Sequence, residues 1–173
     1  VTAGKLDPSY YLDENEYAND ETTQFLNGVL INNPTIPFPD YGLGAATLYN
    51  PVDWWYIAYG FSDAQADYRE TGFNTAFHNE DYWFHIAETG VVTQIDSARG
   101  PLSGAYRVGV WYDTQDKETF DTGATRRDDT GYYFSGDQMI RKENDTAEDS
   151  QGLGMFGRYG WAESRVNDVT NFW

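Results

Sequence analysis

Ala105-Tyr106-Arg107-Val108-Gly109-Val110-Trp111-Tyr112 changes character at every step. In an extended chain, Tyr106, Val108, Val110 and Tyr112 fall on one face and Arg107, Gly109 and Trp111 on the other. A period of two marks a β-strand. The apolar face also ends in an aromatic ring at both ends, as in a strand that crosses a bilayer with its rings at the two interfaces. An arginine on the lipid side near the midplane costs roughly 2–4 kcal/mol. Arg107 is therefore expected to face the interior of a barrel.

The same alternation extends in both directions. Trp55, Ile57, Tyr59 and Phe61 form an outward stripe, with Trp54, Tyr56, Ala58 and Gly60 on the inner side. Leu153, Met155, Tyr159 and Trp161 form another, with Phe156 and Arg158 facing in. Residues 82–92 resist this reading. Placing Glu88 inside also sends Tyr82, Phe84 and Ile86 inward and His85 outward, unless a β-bulge resets the register.

Strands are predicted at 1–6, 41–50, 54–62, 82–95, 104–113, 131–142 and 151–162, with an eighth starting near 171. The links between them alternate in length. Residues 51–53, 96–103 and 143–150 are short, whereas 7–40, 63–81 and 114–130 are long. Antiparallel outer-membrane barrels have this rhythm of short periplasmic turns and long external loops. Residues 163–170 break it with a short link where a long one is due. One helix is predicted, Thr22 to Leu30, capped by Thr22 or Thr23 and carrying Phe25, Leu26 and Val29. No solenoid repeat and no linker divides the chain, which reads as a single domain over 1–173.

The composition fits an all-β chain, with 17 Gly, 14 Tyr, 10 Phe and 6 Trp among 173 residues. No apolar run approaches the roughly 20 residues of a membrane helix. The mean hydropathy of -0.67 is low, but a barrel turns only every second strand residue to lipid and has polar loops. Without cysteine there is no disulfide framework and no thiolate metal site. The net charge of -17 repels phosphate backbones, so nucleic acid is excluded as a partner. The acidic residues cluster in predicted links: Asp13, Glu14, Glu16, Asp20 and Glu21; Asp113, Asp116, Glu118 and Asp121; Glu143, Asp145, Glu148 and Asp149. These read as solvated loops, with divalent-cation binding as the sharper alternative. The chain opens inside a strand-like segment without initiator Met or export signal, and stops at Asn171-Phe172-Trp173 as another strand begins. A processed or missing N-terminal sequence and an unfinished C-terminus are expected.

Gly4-Lys5-Leu6-Asp7, Ile36-Pro37-Phe38-Pro39-Asp40-Tyr41-Gly42, Tyr106-Arg107-Val108-Gly109-Val110-Trp111-Tyr112 and Gly157-Arg158-Tyr159-Gly160-Trp161 resemble the carbohydrate-selective porin family of OprB type. Val166-Asn167-Asp168-Val169-Thr170-Asn171-Phe172-Trp173 looks like a family stretch leading into a further strand, so the resemblance runs from Gly4 to Trp173. It implies a transmembrane antiparallel β-barrel of 16 strands in a bacterial outer membrane, passing glucose or similar small sugars. This chain would supply about half of it, seven strands and the start of an eighth. Trimers are the expectation for porins. An eight-stranded barrel closed on itself would be filled by side chains and conduct poorly.

Sugar passage needs no reaction. It needs hydrogen-bonding side chains and ring faces along a wet constriction. The candidates for sugar contact are Arg107, Trp111 and Arg158 by alternation, then Lys5, Glu88 and Asp137; the alternative for each is a structural role, since inward Arg and carboxylate residues commonly pair across a barrel wall. Segment 7–40 is long enough to fold into the lumen. No nucleophile elbow, zinc motif or phosphate loop is present, so no enzyme is expected and no cofactor beyond the loop cation. Among 28 Asp and Glu residues, some pair lies at a glycosidase-like separation by chance. His78 and His85 read as ordinary loop or strand residues, and the sequon Asn144-Asp145-Thr146 as a coincidence in a bacterial protein. A secreted carbohydrate-binding β-sandwich and an outer-membrane scaffold barrel are the competing readings.

Overall fold

The alternating segments form strands that pair in chain order. The structure is a computed structural model that describes residues 1–78, 80–144 and 151–173. Asp145, Thr146, Glu148 and Asp149, named above in the third acidic cluster and the sequon, lie outside the described residues. The strands are β1 (Thr2–Leu6), β2 (Gly42–Val52), β3 (Trp55–Asp63), β4 (Trp83–Ile95), β5 (Leu102–Asp113), β6 (Lys117–Glu118), β7 (Thr125–Arg126), β8 (Asp129–Lys142), β9 (Gly152–Ala162) and β10 (Asn171–Phe172). Eight make one antiparallel sheet in the order β1-β2-β3-β4-β5-β8-β9-β10, while β6 and β7 form a separate small hairpin within the 114–128 link. Among the described residues β1 and β10 are the sheet's two edges, so the sheet is open. A β-sandwich needs two sheets packed face to face. The single large sheet excludes that reading.

Register assigns the faces. β4 pairs with β3 and with β5 without interruption. Phe84, Ile86 and Glu88 therefore all point inward and His85 outward, with no bulge between them. The irregularities lie elsewhere, between Tyr49 and Val52 and between Met139 and Arg141. On the outer face Tyr106, Val108, Val110 and Tyr112 are exposed. Rings meet across strands toward the long-link end, stacked in Tyr132–Trp161 (5.3 Å) and edge to face in Phe61–Trp83 (5.8 Å). Trp54, expected inside, instead occupies the two-residue turn between β2 and β3 and is exposed.

The predicted helix Thr22 to Leu30 does not form. The Asp20 carboxylate accepts from the backbone N–H of Thr22 and Thr23 and closes a turn there. The helix is one turn, α1 (Gly28–Ile31), capped by the Asn27 side chain on Val29 N–H. Short Asx side chains compete with helical hydrogen bonds in this way. A second single turn, α2 (Phe73–Ala76), lies in the 64–82 link.

Residues 7–41 lie on the inner face of the sheet and build a core there. Leu12 and Ile36 from this insert join Ala58, Phe84, Ile86, Trp111, Tyr133 and Ala162 of the wall. The insert comes closest where the wall lacks side chains: Leu12 over Gly60, Tyr17 over Gly154, Thr35 and Asn33 over Gly160. A Cβ on Gly154 or Gly160 would overlap those groups.

Candidate functional site

Cross-strand pairing sorts the inward residues into levels. Nearest the long links stand Ser62, Phe84, Asp113 and Asp129; next come Gly60, Ile86, Trp111, Gly131 and Ala162. Below these lie Ala58, Glu88, Gly109, Tyr133 and Gly160, then Tyr56, Gly90, Arg107, Ser135 and Arg158, then Val92, Ala105, Asp137 and Phe156, with Gln94, Ser103, Met139 and Gly154 beyond them. Large rings lie across neighbouring glycines, Tyr56 over Gly90 and Tyr133 over Gly109. That keeps the wall flat enough for the insert to dock.

Glu88 is the centre of the polar levels. Its Oε1 accepts from Tyr56 Oη at 2.7 Å, and its Oε2 from Tyr133 Oη at 2.7 Å and Asp13 N–H at 3.0 Å. Arg158 clamps the insert: it donates to the carbonyls of Leu30 (3.1 Å), Ile31 (2.7 Å) and Asp13 (2.7 Å). Its Nε lies 3.5 Å from Asp13 Oδ1. Burial pushes the Asp13 carboxyl up to about 7, against the pull of Arg158. Arg107 donates to Asp137 Oδ2 at 2.6 Å, an oxygen that also accepts from Glu16 N–H.

Between the insert and the inner face of β2 to β5 opens a cleft of about 410 Å³, lined by Tyr10, Tyr11, Glu14, Thr47, Tyr56, Glu88, Val92 and Arg107 among others. This is within the roughly 300–1,000 Å³ of small-molecule sites. Burial also raises the Glu14 carboxyl, with Arg107 opposing and Glu88 adding to the effect.

The six residues nominated from sequence separate on this map. Arg107 and Glu88 meet at the cleft, with Asp137 bonded to Arg107 one level below. Arg158 is inward but committed to backbone carbonyls, and Trp111 is 1% exposed within the core, stacked on Phe84. Lys5 is not on the inner wall. Its partner Leu43 shares the outward face, and its ammonium reaches the carbonyls of Asp67, Tyr68 and Glu70 in the 64–82 link. Alternation placed Tyr56 inside without nominating it. Tyr10, Tyr11, Asp13 and Glu14 were not nominated, because nothing local shows which part of a long link folds inward, and Tyr133 lies in β8, whose faces the alternation above did not assign.

The acidic clusters are also not uniformly solvated. Asp13 is 3% exposed, and Asp113 and Asp129 hold Lys117 between them at 2.9 and 2.6 Å. Among the described residues no three His, Cys, Asp or Glu side chains gather as a metal-ligand set.

A single antiparallel sheet with an apolar, aromatic outer face and a polar inner face under a folded-in link is the wall of a membrane β-barrel. A family model, "Carbohydrate-selective porin, OprB family", matches residues 3–173. The chain belongs to that family, a bacterial outer-membrane family of transport channels rather than enzymes. An uncharacterized protein of Aquifex aeolicus (strain VF5) is 28% identical over 173 residues, covering 98% of this chain and 51% of its own length. The chain thus spans about half the length of the curated relative it matches. No solved structure matches.

Proposed function

We propose that this chain forms part of the wall of an outer-membrane porin through which small sugars, glucose among them, pass by passive diffusion. Its eight paired strands supply about half of a 16-stranded barrel. The cleft at Tyr10, Tyr11, Glu14, Tyr56, Glu88 and Arg107 carries the reading. It sets aromatic faces for the C–H side of a pyranose beside donors and acceptors for its hydroxyls. Glu88 and Arg107 are held by neighbours before any sugar arrives, so little ordering accompanies binding.

Single-channel conductance of the full-length protein in a planar bilayer, with glucose titrated in, tests this. Stable conductance that falls as glucose rises is the expected result. Conductance indifferent to every sugar would remove the carbohydrate path and leave a general pore. No conductance at all would leave a scaffold barrel.

A further inference from the structure

We infer that this wall makes the passage selective for cations, so that neutral and amine-bearing sugars enter it in preference to carboxylated or phosphorylated ones. The inference rests on the porin reading and adds the charge class of the solute. Two arginines, Arg107 and Arg158, are the cations in the wall levels described above. Arg107 pairs with Asp137 at 2.6 Å, their side chains 11% and 6% exposed. Arg158 has a side chain 2% exposed, with its donors on three carbonyls and its Nε beside Asp13. Each arginine is thus matched by one carboxylate of its own, Arg107 at the cleft it lines and Arg158 buried beneath the insert.

Three carboxylates remain without a matching cation. Glu88 lines the cleft with both oxygens held by neutral donors, the hydroxyls of Tyr56 and Tyr133 and the N–H of Asp13. Glu14 lines the same cleft, and its side chain forms no hydrogen bond or ion pair among the described residues. Glu16 is exposed beside Asp137, likewise without a side-chain partner among the described residues. Uncompensated charge of one sign in a cleft with low-dielectric walls concentrates counter-ions and repels co-ions, and rings of Asp and Glu select cations in pores. Beside Glu14, Tyr10 and Tyr11 offer ring surface that is 63% and 39% exposed. An aminated pyranose can rest its apolar face there with its ammonium at the carboxylate. A sugar carboxylate or phosphate in the same pose meets like charge.

The test is the reversal potential of the full-length protein in a planar bilayer under a KCl gradient, for the parent and for Glu14→Gln and Glu16→Gln separately. Potassium is expected to be favoured over chloride by about threefold or more. Each variant should cut that ratio to roughly half while the channel still opens. Proteoliposomes should admit glucose and glucosamine faster than gluconate. A reversal potential that favours chloride, or one that neither variant moves, overturns the inference alone. Absence of any conductance overturns the porin reading and the inference with it.

Discussion

The two ends of the inner wall come from the same strands and behave as different materials. Toward the long links, Phe84, Ile86, Trp111 and Ala162 close against Leu12 and Ile36 as tightly as a soluble core. Toward the short turns, Tyr56, Glu88, Arg107 and Asp137 surround or adjoin open space and form a network of hydrogen bonds and one ion pair. Strand alternation is the same in both. What differs is the cover, because residues 7–41 seal the long-link end and the β8–β9 side of the lower levels and leave a cleft over β2 to β5. An inward-facing residue is therefore in the solute path only where the insert does not lie on it.

Removing Trp111 should produce the largest effect. Trp111→Ala opens a cavity in the sealed end at a cost of about 3–5 kcal/mol. Denaturant unfolding in detergent should show that loss, and those channels that do assemble should keep the parent's response to glucose. A weakened glucose response with full stability would reverse the contrast.

Arg107→Gln is expected to do less to stability and more to transport. It removes a charged hydrogen bond to Asp137, at about 1.5–3 kcal/mol. Glucose should then block the conductance less effectively. An unchanged glucose titration would move the path away from this cleft.

Tyr11→Ala is smaller again. Its stability change should fall within about 0.5 kcal/mol, as for exposed side chains, while the glucose concentration for half-block rises about threefold through loss of ring surface.

A dependence on pH is expected as well. Burial holds the Asp13 carboxyl at about 7 in the docked insert, above its ordinary value of 3.8. A raised carboxyl contributes its stability fully below the unfolded value and loses it as pH rises through the folded one. Docking of 7–41 should accordingly weaken from about pH 5 to about pH 8. The Asn33 amide, which donates to Asp13 Oδ2, reports this through its exchange protection corrected for intrinsic rate. Asp13→Asn keeps an acceptor and suits the positive φ of 60°. It should remove the difference between the two pH values.

The strands were legible because a half-buried strand writes its period of two directly into the chain. All eight strands of the main sheet appear within a few residues of where alternation put them. Alternation gives a face but neither a height nor a cover, so Arg107 and Trp111 looked alike although one reaches the cleft and the other is buried. Lys5 sits in a five-residue strand whose face depends on its pairing with Leu43, and pairing is not local. The inward course of Tyr10 to Glu14 depends on contacts with Glu88, Ser135 and Arg158, far away in the chain. No window of sequence carries that information. The hairpin of β6 and β7 was missed for a related reason, since each strand is two residues long.

The absence of cysteine from this chain allows the contrast to be read residue by residue. Glu14→Cys, Val92→Cys and Ile86→Cys would each be exposed to a membrane-impermeant thiol reagent while single channels of the full-length protein are recorded. Glu14 and Val92 line the cleft, and Ile86 is 1% exposed in the sealed core. Stepwise loss of conductance is predicted for Glu14→Cys and Val92→Cys, with no change for Ile86→Cys. Equal reaction at Ile86→Cys, or none at Glu14→Cys, would contradict the division of the wall into a sealed end and an open one.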